Sequence, residues 1–388
     1  MTFRSGRHLV QIPGPTNVPD RVLAAMSRPT IDHRSPEFAD LTHEILEGLK
    51  PVFKTQGPVV IFPSSGSGGW EAALVNTCSP GDKVLMFETG FFALQWAKTA
   101  EQFGLEVELT PGDWGSGVDP DRLEARLRED KAGEIKAVAV VHCETSTGAL
   151  TSVAEIRRAL DSAAHPALLM VDTISSLATT DYRHQEWGVD VTIAASQKGL
   201  MLPPGLGFQA LSPKALAASK EAGLPRRYWD WAAVIEFNAS GFFPYTPATN
   251  LLYGLKEALA MLEEEGLPRV LARHARHAEA ARRAASAWGL APCCPRVEEQ
   301  GPGLTALLVP EGIDSDELRK IILERFDMSL GTGLGKLKGK AFRIGHLGYF
   351  NDLMLAGTLA GVEMGLVLAG LDQARGGVQA ALDFLAGV

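Results

Sequence analysis

The sequence predicts an α/β fold, with a large domain built on a mostly parallel seven-stranded sheet and a smaller C-terminal α+β domain. Three observations predict it. Short apolar runs alternate with helical patterns as far as residue 211, which is typical of a parallel sheet covered by helices on both faces. A helical stretch over 251–290 is followed by a shorter segment of mixed strand and helix patterns. At 388 residues, the chain also exceeds the usual size of a single domain.

The apolar periodicity assigns the elements in order along the chain. In the large domain, apolar runs predict strands at 59–62, 84–87, 105–110, 135–141, 167–171, 189–195 and 207–211. Helical patterns begin at residue 70 and cover 92–103, 119–130 and 152–164. In the small domain, strands are predicted at 305–310 and 340–346, and helices at 314–326, 351–368 and within 376–388. We therefore expect an N-terminal arm over 1–12, a large domain over 13–265 and a small domain over 266–388.

Composition and charge exclude several classes of protein. The net charge of −9 favours neither a nucleic-acid partner nor an anionic membrane surface. No apolar run approaches a membrane span, and the first residues lack the apolar core of a signal peptide. The four cysteines form no C-x-x-C pattern, so the reducing cytoplasm is the expected compartment.

His274 and His277 lie three residues apart in a helical pattern, a spacing that suits a metal site. No third ligand at a suitable spacing accompanies them. The sequence therefore predicts no metal centre, and it predicts that this pair lies on a solvated basic helix face.

Lys198 follows the predicted strand at 189–195 and precedes a loop rich in glycine and proline at 199–205. A lysine held at a strand end among small, rigid residues is partly desolvated, which lowers its pKa. Its amine can then form a Schiff base with an aldehyde such as that of pyridoxal phosphate. For the lysine alone, the alternative is a solvated surface group.

Asp172 ends the preceding predicted strand. The carboxyl ends of parallel strands form the ligand-binding edge of an α/β sheet. Pyridoxal enzymes place an aspartate there, because its charge keeps the pyridine nitrogen protonated and the ring able to draw electrons. The alternative is that Asp172 caps the following turn with Thr173 and Ser175. The pairing with Lys198 favours the cofactor role.

A serine- and glycine-rich loop at 64–69 follows the first predicted strand of the large domain and leads into the helix from Trp70. Backbone N–H groups, serine hydroxyls and a helix N-terminus together bind anions, so Ser65, Gly66 and Ser67 are candidates to hold a phosphate. The spacing matches neither the G-x-G-x-x-G nor the P-loop pattern. A flexible turn is the alternative, but the loop, Asp172 and Lys198 together favour a pyridoxal phosphate site.

With these motifs, the sequence resembles the class V, fold type I pyridoxal-phosphate aminotransferases, on the alanine–glyoxylate and serine–glyoxylate branch. The resemblance extends from about residue 13 to residue 370. The motifs that carry it are IPGPTNVP (12–19), DHRSPEF (32–38), SGSGGWEAAL (65–74), HCETSTG (142–148), VDTISSL (171–177), SQKGLMLPPG (196–205), FPYTPATNLLYGL (243–255) and FRIGHLG (342–348).

The resemblance implies the PLP-dependent transferase fold of type I, pyridoxal 5'-phosphate as cofactor and a homodimer with shared active sites. It also implies amino transfer from a small amino acid, with serine or alanine favoured, to glyoxylate. Aspartate remains an alternative donor. Residue by residue, it implies that Phe92 stacks on the pyridine ring, that Thr145 contacts the cofactor near its ring oxygen, and that Gln197 contacts the phosphate or the ring.

One implied contact crosses between subunits. Thr246 matches a residue that reaches the phosphate of the neighbouring subunit. The family often has a tyrosine three positions earlier, where Phe243 stands here. Tyr245 is a candidate to supply the hydroxyl that this exchange removes.

Arg343 lies in an otherwise apolar strand pattern. A buried guanidinium needs an anionic partner, and its planar fork binds a carboxylate through two parallel hydrogen bonds. We therefore expect Arg343 to hold the substrate's α-carboxylate, with a structural ion pair as the alternative. Arg34 is a candidate second clamp, for the side chain of aspartate; its alternative is an ion pair with Asp32 or Glu37.

Two other functions compete with this reading. Cysteine desulfurases, which belong to the same superfamily, commonly have a histidine before the lysine, where Gln197 stands here. A catalytically inactive binding protein on the same fold is the second. The presence of Lys198, Asp172 and Arg343 favours an active aminotransferase over both.

Overall fold

The computed structural model describes residues 5–387. Its first elements are β1 (Leu9–Gln11), α1 (Asp20–Met26) and α2 (Pro36–Phe53). The α2 helix begins after Ser35, whose side chain accepts a hydrogen bond from the Phe38 N–H and so satisfies one of the free donors at the helix start.

A seven-stranded sheet is built from residues 59–211, with the strand order β2-β8-β7-β6-β5-β3-β4. Its strands are β2 (Val59–Ser64), β3 (Lys83–Phe87), β4 (Glu106–Thr110), β5 (Ile135–Val141), β6 (Leu168–Asp172), β7 (Val191–Ala195) and β8 (Gly205–Leu211). Neighbours from β4 to β7 are parallel, whereas β8 runs antiparallel to both β7 and β2. Two antiparallel steps restore the direction, so β2 ends at the same edge as β7.

Helices cover both faces of this sheet. They are α3 (Gly66–Thr77), α4 (Phe91–Gln102), α5 (Pro120–Glu129), α6 (Val153–Ser162), α7 (Pro213–Ala218) and α8 (Trp231–Ala239). Alternate residues of a strand point to opposite faces. Thus Val59 and Ile61 join a core that includes α2, α5 and α6, whereas Val60 and Phe62 join one that includes α3, α4 and α8. The predicted α/β class with a mostly parallel seven-stranded sheet is confirmed.

Two long helices follow, α9 (Thr249–Glu265) and α10 (Leu267–Ala287). The sequence predicts continuous helix here, but Gly266 adopts a φ of 80° and separates the two. The predicted boundary between the domains falls at this glycine, and the domain limits stay a prediction.

A four-stranded sheet lies beyond α10, in the order β1-β10-β11-β9. It contains β9 (Leu304–Leu308), β10 (Met328–Thr332) and β11 (Ala341–Gly345), and its helices are α11 (Ser315–Phe326), α12 (Asp352–Leu368) and α13 (Gly377–Ala386). The first strand, β1, pairs in parallel with β10, so the N-terminal segment is tied to the end of the chain. The last helix packs on α10 and α12. Within residues 5–387, no helix combines the length and apolar character that a membrane span requires.

Candidate active site

Four loops meet at one edge of the seven-stranded sheet. They follow β2, β5, β6 and β7, whose carboxyl ends lie together because these strands run in the same direction. Asp172 pairs with Ile193 across β6 and β7, and the chain that continues from β7 carries Lys198. A cavity of about 210 Å³ opens at this edge, and eight of the predicted cofactor residues line it: Ser65, Gly66, Ser67, Phe92, Thr145, Asp172, Gln197 and Lys198.

Lys198 is enclosed beneath the N-terminal loop. Only 8% of it is exposed, and its ammonium donates to the Pro13 carbonyl oxygen. A Cβ at Gly14, where φ is 114°, would lie 2.5 Å from Lys198 Nζ, so the loop approaches the amine as closely as glycine permits. Burial, with the charge of Arg343, lowers the pKa of Lys198 to about 8 against the opposing effect of Asp172. Its neutral, nucleophilic form is therefore accessible near neutral pH.

Asp172 is held through both carboxylate oxygens. Oδ1 accepts the Ile174 N–H at 2.7 Å and Oδ2 accepts the Trp70 indole N–H at 2.9 Å. The turn-capping alternative is therefore correct for one oxygen, but it does not exclude a cofactor contact, since each oxygen has a second lone pair. Burial raises the pKa of Asp172 to about 7, and the two hydrogen bonds oppose that rise. A cationic partner such as a protonated ring nitrogen would favour the ionised form.

The serine- and glycine-rich loop leads directly into α3. Ser65 is the N-cap residue but its side chain makes no capping bond, and the first turn holds no acidic side chain. Ser65 and Ser67 are exposed, and a Cβ at Gly66 would run into the Ile174 side chain. Backbone N–H groups and two hydroxyls thus face the cavity opening at a helix N-terminus, an arrangement that suits a phosphate.

Glu144 braces the loop that carries Thr145 against the start of the α4 helix, which carries Phe92. It is fully buried and accepts hydrogen bonds from the Ala93 N–H at 3.1 Å and the Ser146 N–H at 3.0 Å. The first bond caps the start of α4, where Phe92 lies, and the second ties down the loop after β5. Thr145 shares a hydrogen bond with the Ser175 hydroxyl, so its side chain is anchored to the loop after β6.

Arg343, on β11, reaches the site from the four-stranded sheet. It is 7% exposed and donates to the carbonyl oxygens of Thr332 at 2.8 Å and Thr145 at 2.9 Å. Burial lowers the pKa of its guanidinium to about 10. Among the described residues, no carboxylate forms an ion pair with it, which argues against the structural ion pair and leaves the charge available to a substrate.

The structure does not bring Thr246 into this cavity. The residue is exposed on the surface of the protomer. Tyr245 donates its hydroxyl to the Ile61 carbonyl oxygen at 3.2 Å, so that hydroxyl is engaged within its own chain. Phe243 is buried in the core. Within residues 5–387, the structure therefore gives no sign that Tyr245 replaces the family tyrosine.

Arg34 is also exposed and lies outside the cavity. Its backbone N–H donates to Asp32 at 2.9 Å, whereas Glu37 lies 3.8 Å from Arg28. The ion pair with Asp32 or Glu37 that the sequence offers for the Arg34 side chain is not found in the part of the chain described.

The prediction of a solvated face for His274 and His277 is wrong. Both imidazoles are fully buried. His274 accepts the Gly348 N–H at 3.0 Å, and His277 bonds to Asp352 at 2.9 Å. The loop after β11 covers this face of α10, a long-range contact that leaves no local pattern in the sequence. Within the described residues, no cluster of histidine, cysteine, aspartate and glutamate is suited to a metal ion.

Sequence reasoning missed Trp70, Pro13 and Gly14 as parts of the site. Both Gly14 and Pro13 fall in the IPGPTNVP motif, which carried no assigned role. Trp70 reads as an ordinary core aromatic, since the hydrogen bond to Asp172 joins residues far apart in the chain.

The cavity suits pyridoxal 5'-phosphate. Lys198 offers an amine to the aldehyde, Asp172 offers a carboxylate to the protonated ring nitrogen, and the start of α3 offers a cradle for the phosphate. The Gln197 amide oxygen is buried with no hydrogen-bond partner in the region described, as expected of a group that awaits a ligand. Fold and site together define a pyridoxal-phosphate enzyme of fold type I.

Comparison with known proteins identifies the family within this class of enzymes. The family model for class V aminotransferases matches residues 11–335, and the chain belongs to that family. It is 48% identical to a serine–glyoxylate aminotransferase from Methylorubrum extorquens, over 99% of this chain and 97% of the relative. It is 47% identical to an L-aspartate–glyoxylate aminotransferase from Paracoccus denitrificans, over 95% and 94% of the two chains. The crystal structure of ureidoglycine–glyoxylate aminotransferase from Bacillus subtilis covers both chains fully, with a TM-score of 0.90 and 28% identity.

Proposed function

We propose that this transaminase moves an amino group from a small amino acid, serine first and alanine next, to glyoxylate. The products are glycine and the oxo acid of the donor. The observation that carries the proposal is that Lys198 and Asp172 line one cavity. Thr145 lines it too, and its carbonyl oxygen accepts a hydrogen bond from Arg343. The relatives named above, which act on glyoxylate by their descriptions, support the choice of acceptor.

When bound, pyridoxal phosphate supplies an aldehyde that condenses with amines and a ring that draws electrons from the α-carbon. Lys198 is the group that moves the proton. With pyridoxal phosphate bound, the neutral Nζ of Lys198 would take the proton from the α-carbon of the donor and would later give it back. A pKa near 8 places this amine in the range where it both accepts and gives up a proton readily.

Asp172 and Arg343 hold charge rather than move protons. The Asp172 carboxylate keeps a proton at the ring nitrogen, which maintains the ring's pull on electrons. The Arg343 fork binds the α-carboxylate through parallel hydrogen bonds and so orients the α-proton toward Lys198 Nζ. We assign Ser65, Gly66, Ser67 and Gln197 to the phosphate end, and Phe92 and Thr145 to the ring.

The choice of serine or alanine as donor rests on the number of cationic side chains at the cavity. Of the described residues that line the cavity, Lys198 is the single cationic side chain, and Arg343 adds one guanidinium beside it. One clamp suffices for the α-carboxylate of a small amino acid. An aspartate donor needs a second cation for its side chain. Arg34 is the candidate for that role, because it is exposed and so open to a second copy of the chain.

We further propose a homodimer with shared active sites. Thr246 is exposed and does not contact its own cavity, which supports a role in the site of a second copy. Mixing protomers that carry Lys198→Ala with protomers that carry Thr246→Ala tests this, because one of the two sites in a mixed dimer then has both residues intact. Partial recovery of activity supports the proposal. A fully active monomer in light scattering contradicts it.

The cytoplasm is the proposed compartment. Cys78, Cys143, Cys293 and Cys294 are all free and buried, as suits a reducing environment. Cell fractionation tests this directly, and recovery of the protein outside the cytoplasm contradicts it.

The function itself is tested with the purified protein and a panel of donors. The bound cofactor is expected to give a visible absorption band that serine and alanine bleach in a single turnover, and glyoxylate is then expected to restore the band and yield glycine. A Lys220→Ala variant, which alters an exposed lysine, is the matched control for Lys198→Ala. Bleaching without glycine formation would contradict glyoxylate as the acceptor, and a protein that takes up no pyridoxal phosphate would contradict the whole assignment.

A further inference from the structure

Trp70 is a buried tryptophan that the mechanism above leaves without a role. It lies in the first turns of α3, is 3% exposed, and donates its indole N–H to Asp172 Oδ2 at 2.9 Å. We propose that Trp70 is a positioning residue for the reaction: its N–H fixes the Asp172 carboxylate in the orientation that serves the cofactor's ring nitrogen. This inference rests on the proposed function.

The indole has little freedom to move. Its ring stacks on that of Trp96, with centroids 6.1 Å apart and planes within 14°. The α3 backbone also lies close against β7, since a Cβ at Gly69 would come within 2.7 Å of Ile193. An N–H held in this way donates along one direction. The carboxylate that receives it is fixed in turn, because Ile174 holds its other oxygen.

Helix α3 connects the two ends of the cofactor site. Gly66 begins the helix at the proposed phosphate cradle, and Trp70 follows four residues later on the same face. One rigid element therefore presents donors to the phosphate and, through Trp70, sets the carboxylate that meets the ring. The distance between these two contacts does not depend on loop conformation.

The hydrogen bond also has an electrostatic effect. Burial raises the pKa of Asp172, and the Trp70 N–H is one of two donors that oppose this rise. Loss of the N–H therefore favours the protonated acid, which no longer supports a proton on the ring nitrogen. We expect weaker cofactor binding and a changed pH dependence of the cofactor's absorption. Trp70 also lines the cavity, so a purely packing role would weaken binding too, but it would not move the pH dependence.

The chain offers a matched control in Trp96. It lies in the same stack and is fully buried, but its indole N–H has no hydrogen-bond partner among the described residues. Trp96→Phe therefore makes the same side-chain change in the same aromatic pair and breaks no hydrogen bond to Asp172. Trp70→Phe makes that change and also removes the hydrogen bond to Asp172.

The experiment compares both variants as holoenzymes, alone and combined with Asp172→Asn. Trp70→Phe is expected to weaken pyridoxal phosphate binding about 10- to 100-fold, as the loss of a hydrogen bond to a buried charge does, and to shift the pH midpoint of the visible band. The KM for serine should change little. Trp96→Phe keeps an aromatic ring against Trp70 and leaves the bond to Asp172 in place, so it should change affinity and midpoint much less than Trp70→Phe does. In the Asp172→Asn background, Trp70→Phe should add almost nothing, because the two residues act as one unit.

Equal behaviour of the two tryptophan variants, or additive effects with Asp172→Asn, would overturn the proposal. If Trp70→Phe does not fold, Trp70→3-benzothienylalanine preserves the ring shape and removes only the N–H, and the same comparison applies. Failure of the proposed function is separate, since the parent protein itself would then show no visible band or no transamination.

Discussion

Arg343 donates a hydrogen bond of 2.9 Å to the carbonyl oxygen of Thr145, and this bond joins the four-stranded sheet to the seven-stranded one. Thr145 stands on the loop after β5 and lines the cavity, whereas Arg343 belongs to β11. The proposed carboxylate clamp is therefore held by the same loop whose Thr145 we assign to the cofactor ring. This bond fixes the position of the guanidinium relative to Thr145 although the two residues belong to different sheets.

Arg343→Lys should reduce kcat/KM for serine by about 10-fold or more, because lysine keeps the positive charge but loses a charge-assisted hydrogen bond worth about 1.5–3 kcal/mol. A lysine cannot keep both carbonyl contacts and also present a fork to the carboxylate. Steady-state kinetics measure the loss, and most of it should appear in KM. The cofactor's visible band should stay as in the parent.

Arg319→Lys is the matched control for that prediction. Arg319 lies on α11, which packs beside the four-stranded sheet. Its side chain donates to the Leu330 carbonyl oxygen and to Asp316, but it does not reach Thr145. Comparable losses in both variants, or loss of the visible band in Arg343→Lys, would assign Arg343 to structure rather than to the substrate.

Lys198→Ala should abolish transamination while the protein still takes up pyridoxal phosphate without a covalent bond. The reduction in rate should be at least about 10²- to 10⁴-fold, the contribution of a positioned acid–base group. Borohydride reduction followed by mass spectrometry distinguishes the two modes of binding, since it traps the cofactor on the parent chain and not on the variant. Near-parent turnover in Lys198→Ala would refute the assignment of the lysine.

The pKa of Lys198 predicts how the cofactor-free protein captures pyridoxal phosphate. Because only the neutral amine attacks an aldehyde, the capture rate should rise with pH and level off above about pH 8, well below the range of an ordinary lysine. Stopped-flow absorbance measures the rate. The same series on Asp172→Asn removes the titration of Asp172, whose pKa lies near 7. A midpoint close to 10 would show that burial does not perturb this amine.

The same shift has a consequence for stability. The folded-state pKa of Lys198 lies below its unfolded value, so the unfolded chain binds more protons between about pH 8 and pH 10.5. The free energy of unfolding of the cofactor-free protein should therefore gain a contribution as pH rises through that window. Lys198→Met removes the titrating group, and its unfolding free energy should lack this rise. Parallel pH profiles for the two proteins would contradict the prediction.

Local patterns predicted most of the sheet and the placement of the main site residues. Asp172 and Lys198 end apolar runs, and strand ends in a parallel sheet converge, so their meeting follows from pattern and topology. Pairings between distant segments left no such signal. The register of β1 on β10 and the bond from Trp70 to Asp172 depend on how separate layers pack, and an apolar or aromatic residue alone does not reveal its partner.

The last prediction concerns Arg34 and whether serine or aspartate is the preferred amino donor. Among the residues that the structure describes, one lysine lines the cavity and one buried guanidinium borders it. Serine should therefore have a higher kcat/KM than aspartate, with alanine between or close to serine. Arg34 is exposed, and an aspartate donor would need it, or another cation, to reach the site of a second copy.

Arg34→Ala should therefore change kcat/KM for all three donors by the same small factor or not at all. Arg28→Ala, which alters a neighbouring guanidinium that pairs with Glu37, is the control for general effects on this loop. If aspartate were the best donor and Arg34→Ala selectively reduced it by about 10² or more, as loss of a buried carboxylate clamp does, the serine assignment would be wrong. An equal loss for all donors would instead place Arg34 at the cofactor or in the fold, and serine would stand as the donor.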